Sequence, residues 1–245
     1  MVSESASEPI IRLRGIRFAY PGQAPVLDNL DFEMVRGDRI GLLAPNGSGK
    51  TTLFHLIMGL LEPTAGSIEI FGRPVASEKD FVRVRQRIGL LFQDADDQLF
   101  APTVIDDVAF GPLNMGKSKK EARDISRRVL SFLGLADFEG RITFKLSGGE
   151  KKLVSLATVL AMDPEVLLLD EPINGLDNTT RDKLSQVLNN LGISYMLISH
   201  DIDFLVNATD AVYTMAAGRI LKDEQVHIHR HDHAHQLGHL PHRHK

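Results

Sequence analysis

The stretch that decides the reading is LLAPNGSGKTT, Leu42 to Thr52. Its second half, Gly-Ser-Gly-Lys-Thr, has the form of a phosphate-binding loop, but the full pattern G-x-x-x-x-G-K-[ST] asks for glycine where Ala44 stands. Gly41 does not repair the match, because it lies eight residues before Gly49 rather than five. The flanks argue for the loop all the same. A strand-like RIGLL leads in, Gly47 and Gly49 let backbone N–H groups curl around an anion, and a helix-patterned stretch comes next whose first turn adds its dipole. Ala44 leaves the strand, where a small side chain with ordinary backbone angles suffices, so the missing glycine costs no more than about 1 kcal/mol. The expected nucleotide contacts are Asn46, Gly47, Ser48, Gly49, Lys50, Thr51 and Thr52, with Lys50 as the point charge for the β- and γ-phosphates and Thr51 as a magnesium ligand.

Composition sets the frame around this loop. At 245 residues, 43% hydrophobic and 24% charged, the chain can bury a full core and reads as globular. A formal net charge of −4 gives no basic footprint for nucleic acid, and Arg83, Arg85 and Arg87 read as a solvated face. The absence of cysteine leaves neither a disulfide framework nor a thiolate metal site. The opening MVSESASEP is acidic and without an apolar core, so no signal peptide is expected. The longest apolar run, Leu53 to Leu61, holds nine residues including His55, short of the ~20 that span a bilayer.

Residues 1–9 read as a tail, after which strand-like and helical patterns alternate. RIGLLA (39–44), QRIGLLF (86–92), EVLLLD (165–170) and SYMLISH (194–200) are short apolar runs of the kind that buried parallel strands show. After Lys50, the residues Leu53, Leu56, Ile57 and Leu60 are expected on one helix face; in 119–134 that role falls to Ile125, Val129 and Phe132. The stretch from about 94 to 160 is helix-patterned and lies between two strand candidates, as an insertion would. No internal repeat is visible. Eight of the ten histidines fall within 227–245.

Two further motifs carry chemistry. LLLDEP ends a buried strand with Asp170 and Glu171, and adjacent strand residues point to opposite faces, so both serve one site only if the chain turns there. Asp170 would then hold magnesium through water while Glu171 polarises an attacking water. LSGGEKK, Leu146 to Lys152, places a hydroxyl and two glycines before a helical stretch, a second anion-binding helix start.

With Gln93 ending LLFQ and His200 after LIS, the order of these motifs resembles the ATP-binding cassette (ABC) ATPases over residues 10–222. The resemblance implies an α/β fold: a P-loop NTPase core with a mixed sheet flanked by helices and a helical subdomain, about 94–160, carrying the signature motif. It also implies roles residue by residue. Tyr20 resembles the aromatic that stacks on adenine, and Gln93 the glutamine that senses magnesium and the γ-phosphate. His200 matches the histidine that orients the catalytic carboxylate, so the catalytic set is Glu171, His200, Gln93 and Lys50, and the magnesium set Thr51, Gln93 and Asp170. Ser147, Gly148, Gly149 and Glu150 would complete the ATP site of a partner ABC ATPase subunit, in a homodimer or a heterodimer, and Asp177 in NGLD matches the residue of the loop that communicates across the dimer. Departures from the family pattern are Ala44, Glu150 for glutamine, Leu153 for arginine, and Ile173, Asn174 and Asn178 for Thr, Ala and Pro; none removes a phosphate, magnesium or base ligand.

QDADDQLFAPTVIDDVAFGPLNMG, 93 to 116, resembles the matching segment of energy-coupling-factor and cobalt/nickel importer ATPases. Leu99, Phe100, Val104, Val108 and Phe110 either pack the insertion or form an exposed patch for the coupling helices of integral membrane subunits. The terminal HIHRHDHAHQLGHLPHRHK alternates His227, His229, His231, His233 and His235, which in an extended chain share one side and suit Ni²⁺ or Co²⁺. The expectation is an ATP- and Mg²⁺-dependent motor, a dimer at the cytoplasmic face of the cell membrane, serving a nickel or cobalt importer, with 223–245 as a His-rich tail. The alternatives are an importer ATPase for another small nutrient such as a vitamin, or a soluble cassette ATPase with a metal-binding tail. A soluble machine acting on nucleic acid would need a second cassette, a coiled-coil insertion or a basic arm, none of which the sequence shows.

Overall fold

A computed structural model describes residues 8–221. The N-terminal part is an antiparallel sheet of β1 (Pro9–Phe18), β2 (Leu27–Val35), β4 (Ala65–Ile70) and β5 (Arg73–Val75), in the order β2-β1-β4-β5. β1 begins at Pro9, one residue inside the stretch expected as tail. Its sequence alternates on either side of an irregularity: Ile11 and Leu13 are buried with Arg14 facing out, and after a register shift between Leu13 and Ile16 the buried Ile16 and Phe18 flank the exposed Arg17.

The second sheet has six strands, β10-β9-β3-β8-β7-β6. β3 (Arg39–Leu43), β6 (Ile88–Leu91), β7 (Val166–Asp170) and β8 (Ser194–Ser199) are the four apolar runs read from the sequence, and they pair in parallel through β3·β8, β7·β8 and β6·β7. β9 (Ala211–Ala216) joins β3 in parallel, and β10 (Arg219–Leu221) returns antiparallel on β9. The fold is therefore mixed α/β.

This sheet separates two cores. Val166, Leu168, Met196 and Ile198 face α1 (Lys50–Ile57) and the antiparallel sheet, while Leu167, Leu169, Tyr195 and Leu197 face the helices. Burial on both faces explains why these strands read as unbroken apolar runs. Between β6 and β7 the chain is helical: a 3-10 turn at 95–97, α3 (Val104–Asn114), α4 (Lys119–Phe132), short turns at 136–138 and 143–145, and α5 (Gly148–Leu160). α6 (Asn178–Asn190) and α7 (Ile202–Ala208) complete the helical layer. α5 approaches β6 so closely that a Cβ on Gly89 would lie 2.2 Å from Val159 Cγ1.

Two helix faces differ from expectation. α1 stops at Ile57, so Leu60 lies past the helix and is exposed, whereas Leu53, Leu56 and Ile57 are fully buried. In α4 the buried stripe is Ala122, Ser126 and Leu130, one residue round from the one expected; Ile125 and Val129 are only partly covered and Phe132 is exposed. Small residues at 122 and 126 let the helix backbone approach its neighbours, and the Ser126 hydroxyl satisfies itself on the Ala122 carbonyl at 2.8 Å.

Candidate functional site

Parallel strands deliver the residues after them to one edge of the sheet, the carboxyl edge. Register pairs Leu43 with Ser199, Ile198 with Asp170 and Leu169 with Leu91. The 44–49 loop, His200, the Asp170-Glu171 pair and Gln93 are thereby collected from four strands.

In the loop, Ala44 is buried and keeps a negative φ, while Gly47 and Gly49 adopt φ of 78° and 94°. The left-handed turns are thus placed on glycines, and alanine at 44 carries no strain. At Gly49 a Cβ would also meet Leu27 Cδ2 and Val26 Cγ1 at 2.8 Å. Gly49 is the N-cap of α1 and supplies no capping side chain, so the first N–H groups of the helix are not capped by their own chain.

Lys50 is buried, and its Nζ donates to Glu171 Oε1 at 2.7 Å and Asn46 Oδ1 at 3.2 Å. Glu171 Oε2 meets His200 Nδ1 at 3.0 Å, and the imidazole is otherwise exposed. Lys50, Glu171 and His200 form one chain of contacts. Glu171 has φ 45°, and this left-handed residue is the turn that brings two consecutive carboxylates into one site. Asp170 Oδ2 accepts the Thr51 hydroxyl at 2.7 Å. Burial pushes the Asp170 carboxyl above the usual carboxylate range, opposed by the Thr51 hydrogen bond. Its Oδ1 is buried without a partner among the described residues, as is Ser48 Oγ. An orphaned buried carboxylate oxygen beside a hydroxyl is a hard-oxygen donor set of the kind magnesium takes, so these residues fit that ion.

A cavity of about 730 Å³ opens beside this pair, lined among others by Thr51, Gln93, Asp170, Lys152 and Gly148. The Gln93 side chain is exposed and its amide has no partner among the described residues. Its backbone carbonyl accepts Lys152 Nζ at 2.6 Å. Tyr20 packs edge-on against Phe18, centroids 5.0 Å apart, and its hydroxyl lies 3.2 Å from Thr52 Oγ1; it is 36% exposed.

Ser147 is the N-cap of α5 in a capping box: its hydroxyl accepts the Glu150 N–H and its own N–H donates to Glu150 Oε2 at 2.8 Å. Glu150 Oε1 accepts from Arg141 at 2.9 Å, and the backbone N–H of Ser147, with its hydroxyl, holds the Glu150 carboxyl below its ordinary range. Gly148 is exposed, and Gly149 lies against Thr180. Asp177 caps α6 by accepting the Thr180 N–H at 2.8 Å, a bond that lowers its pKa. The alternating histidines His227 to His235 lie outside the described residues.

The segment 99–110 divides. Leu99, Val104 and Val108 pack inward, whereas Phe100 and Phe110 stay 67% and 48% exposed, edge to face at 4.7 Å. They border an apolar groove of about 350 Å³ with Leu60, Met162 and Val159. Asp107 builds this shape: buried, it accepts the N–H groups of Phe100 and Ala101 and the Thr143 hydroxyl.

Sequence reasoning passed over Lys152, Asp107 and Arg141. Lys152 had a signal, since it shares the helix face of the buried Leu156 and Val159 at i+4 and i+7, where a charge needs a reason. Burial lowers its pKa.

Comparison with known proteins agrees with this geometry. The family described as "ABC transporter" matches residues 27–174. A putative ABC transporter ATP-binding protein of Nitratidesulfovibrio vulgaris is 46% identical over 244 residues, covering 99% of this chain and 89% of that one. The energy-coupling factor transporter ATP-binding protein EcfA of Methanocaldococcus jannaschii is 43% identical over 218 residues, covering 87% of this chain and 78% of that one. Among solved structures, cbiO1 from Clostridium perfringens, described as part of the ABC transporter complex cbiONQ, superposes with a TM-score of 0.79 at 34% identity, covering 88% of each chain.

Proposed function

This chain belongs to the ABC transporter ATPases, and on that premise we propose that it is the motor subunit of an energy-coupling-factor importer whose cargo is a nickel or cobalt ion. Its activity is ATP hydrolysis, with ATP as substrate and Mg²⁺ as cofactor. The observation that carries the site assignment is the Lys50–Glu171–His200 chain beside the Thr51–Asp170 pair, all at one sheet edge.

In this reading the triphosphate lies along residues 46–52, with its phosphates on the open N–H groups at the start of α1 and its base against Tyr20. Thr51 and Asp170 would hold Mg²⁺, with Gln93 completing the set, and the bound ion would supply positive charge to offset that of the triphosphate. Lys50 is paired with Glu171 in the structure. Phosphate oxygens offer Lys50 a stronger partner, and its departure leaves the Glu171 carboxylate free to take a proton from water, oriented by His200. Ser147, Gly148 and Gly149 act on the nucleotide of a second copy, and Asp177 lies on the loop between the two sites.

Residues 10–222 are read as one cassette whose helical part, 94–160, meets the membrane subunits. The exposed Phe100–Phe110 pair and its groove support that docking, because a paired aromatic patch held outward by Asp107 suits an apolar partner helix. Among the described residues no helix is long and apolar enough to cross a membrane, which fits a peripheral place at its cytoplasmic face.

Glu171→Gln tests the chemistry. It keeps shape and MgATP binding, and steady-state hydrolysis should fall on the order of 10²-fold or more; near-normal turnover would falsify the assignment. The cargo rests on the His-rich sequence 227–245. Full-length chain should bind Ni²⁺ or Co²⁺ increasingly as pH rises through about 6.5, where imidazole loses its proton, and a chain ending at Lys222 should not. Equal calorimetric titrations of the two chains would remove the metal reading and leave a vitamin or other small nutrient as cargo.

A further inference from the structure

The loop that carries Gln93 is gripped by α5. Lys152 Nζ donates to the carbonyls of Phe92 and Gln93 at 3.2 and 2.6 Å. Gln98 Nε2 donates to the Ser155 carbonyl at 2.8 Å and to Thr158 Oγ1 at 2.7 Å, while its Oε1 accepts from Phe92 N at 3.3 Å. Lys151 meets Asp96 at 2.6 Å at the surface. Of the two lysines in these ties, Lys152 is the one enclosed by protein, 4% exposed, as Lys50 is at the phosphate loop. An ammonium taken out of water must be hydrogen-bonded by its surroundings, and here two consecutive loop carbonyls do so.

The position of that lysine gives the contact a consequence. α5 begins at the Ser147 cap, and Lys152 stands on its second turn. The same side chain lines the cavity that Thr51, Asp170 and Gln93 share. A movement of the helix start therefore reaches the Gln93 backbone through one side chain. It need not travel back along the fifty-odd residues of intervening chain.

We propose that Lys152 is a positioning residue that fastens the backbone of Gln93 to the signature helix, so that the Gln93 amide is presented to the Thr51–Asp170 pair only when α5 is seated. This rests on the proposed roles of Gln93 and Ser147. Lys152 touches neither nucleotide nor metal; it acts through the loop. A lysine that merely packs the helix against the loop would affect folding and leave the metal response alone, and the two roles separate on that difference.

The test compares full-length wild type, Lys152→Met and Lys152→Gln in three measurements: thermal midpoint, ATP affinity without metal, and ATPase rate against Mg²⁺ concentration. Methionine keeps much of the volume and removes the donors. The Met variant should fold and bind metal-free ATP like wild type, while its half-saturating Mg²⁺ or its kcat worsens by about 10- to 100-fold, the usual effect of losing an orienting partner. Gln, which still donates to one carbonyl, should recover part of that loss. A Met variant with wild-type Mg²⁺ dependence overturns the proposal. If the Met variant does not fold, the Gln variant decides: wild-type Mg²⁺ dependence again overturns it, and a shifted one supports it. Wild type without Mg²⁺-dependent ATPase would overturn the underlying reading, an outcome seen before any variant is compared.

Discussion

The starts of α1 and α5 look alike in sequence, each a serine and glycines ahead of a helix, yet the structure builds them in opposite ways. At α1 the cap is a glycine in a left-handed conformation with no side chain to offer its own helix. At α5 the cap is Ser147, whose hydroxyl and N–H are both engaged with Glu150. The first is a helix end left for an external anion; the second is satisfied within its own chain. The other capping boxes sharpen the contrast. Ser77 and Ser118 each give their hydroxyl proton to the carboxylate three residues on, at 2.6 Å. Ser147 is built the same way: its N–H and hydroxyl hold the Glu150 carboxylate, which Arg141 meets as Arg83 meets Asp80.

Substitutions on either side can break this contrast. Lys50→Ala acts on the start that serves its own chain, and should weaken ATP binding by the isolated chain by about tenfold or more, since a charge-assisted contact is worth about 1.5–3 kcal/mol. Unchanged affinity in a fluorescent-nucleotide titration would sink the loop assignment. Ser147→Ala acts on the other start. It should cost about 1 kcal/mol of stability through the lost cap, leave ATP affinity of the monomer unchanged, and abolish ATP-driven association in a Glu171→Gln background, read by light scattering. Loss of monomer affinity would mean that both starts serve one chain. Arg141→Ala is the gentlest. Its ion pair with Glu150 is largely exposed, so stability should move by no more than about 0.5 kcal/mol. Association should stay as in wild type, because Ser147 holds Glu150 without it. Weakened association would give Arg141 a part at this start that the cap does not need.

Much of this was readable beforehand, and for physical reasons. Four of the parallel strands, β3, β6, β7 and β8, are buried along most of their length, so their apolar runs carry no competing pattern, and the residues after each are fixed to one edge by register. Ala44 could be accepted in advance because the position needs no positive φ. The antiparallel sheet was equally present in the alternation of Ile11, Arg12, Leu13 and Arg14, but a period of two is easily lost beside stronger motifs. Other features were not available from spacing. Which of Leu99 and Phe100 turns inward depends on Asp107 capturing two N–H groups of the loop, and the stripe on α4 depends on which residues are small enough to let neighbouring helices close. Long-range contacts such as Lys152 with Gln93 leave at most the mark of a charge on an apolar face.

Glu171 stands with φ 45° in a backbone region that disfavours a side chain by about 1–2 kcal/mol, and it buries a carboxylate there as well. Glycine would accept that angle freely. It would also strip the buried Lys50 ammonium of its carboxylate, so relief of the angle is offset by an unpaired charge. The angle is tolerated because the charge is answered: of the five non-glycine residues at positive φ among the described residues Glu171 alone is buried, and Lys50 and His200 hold its two oxygens there.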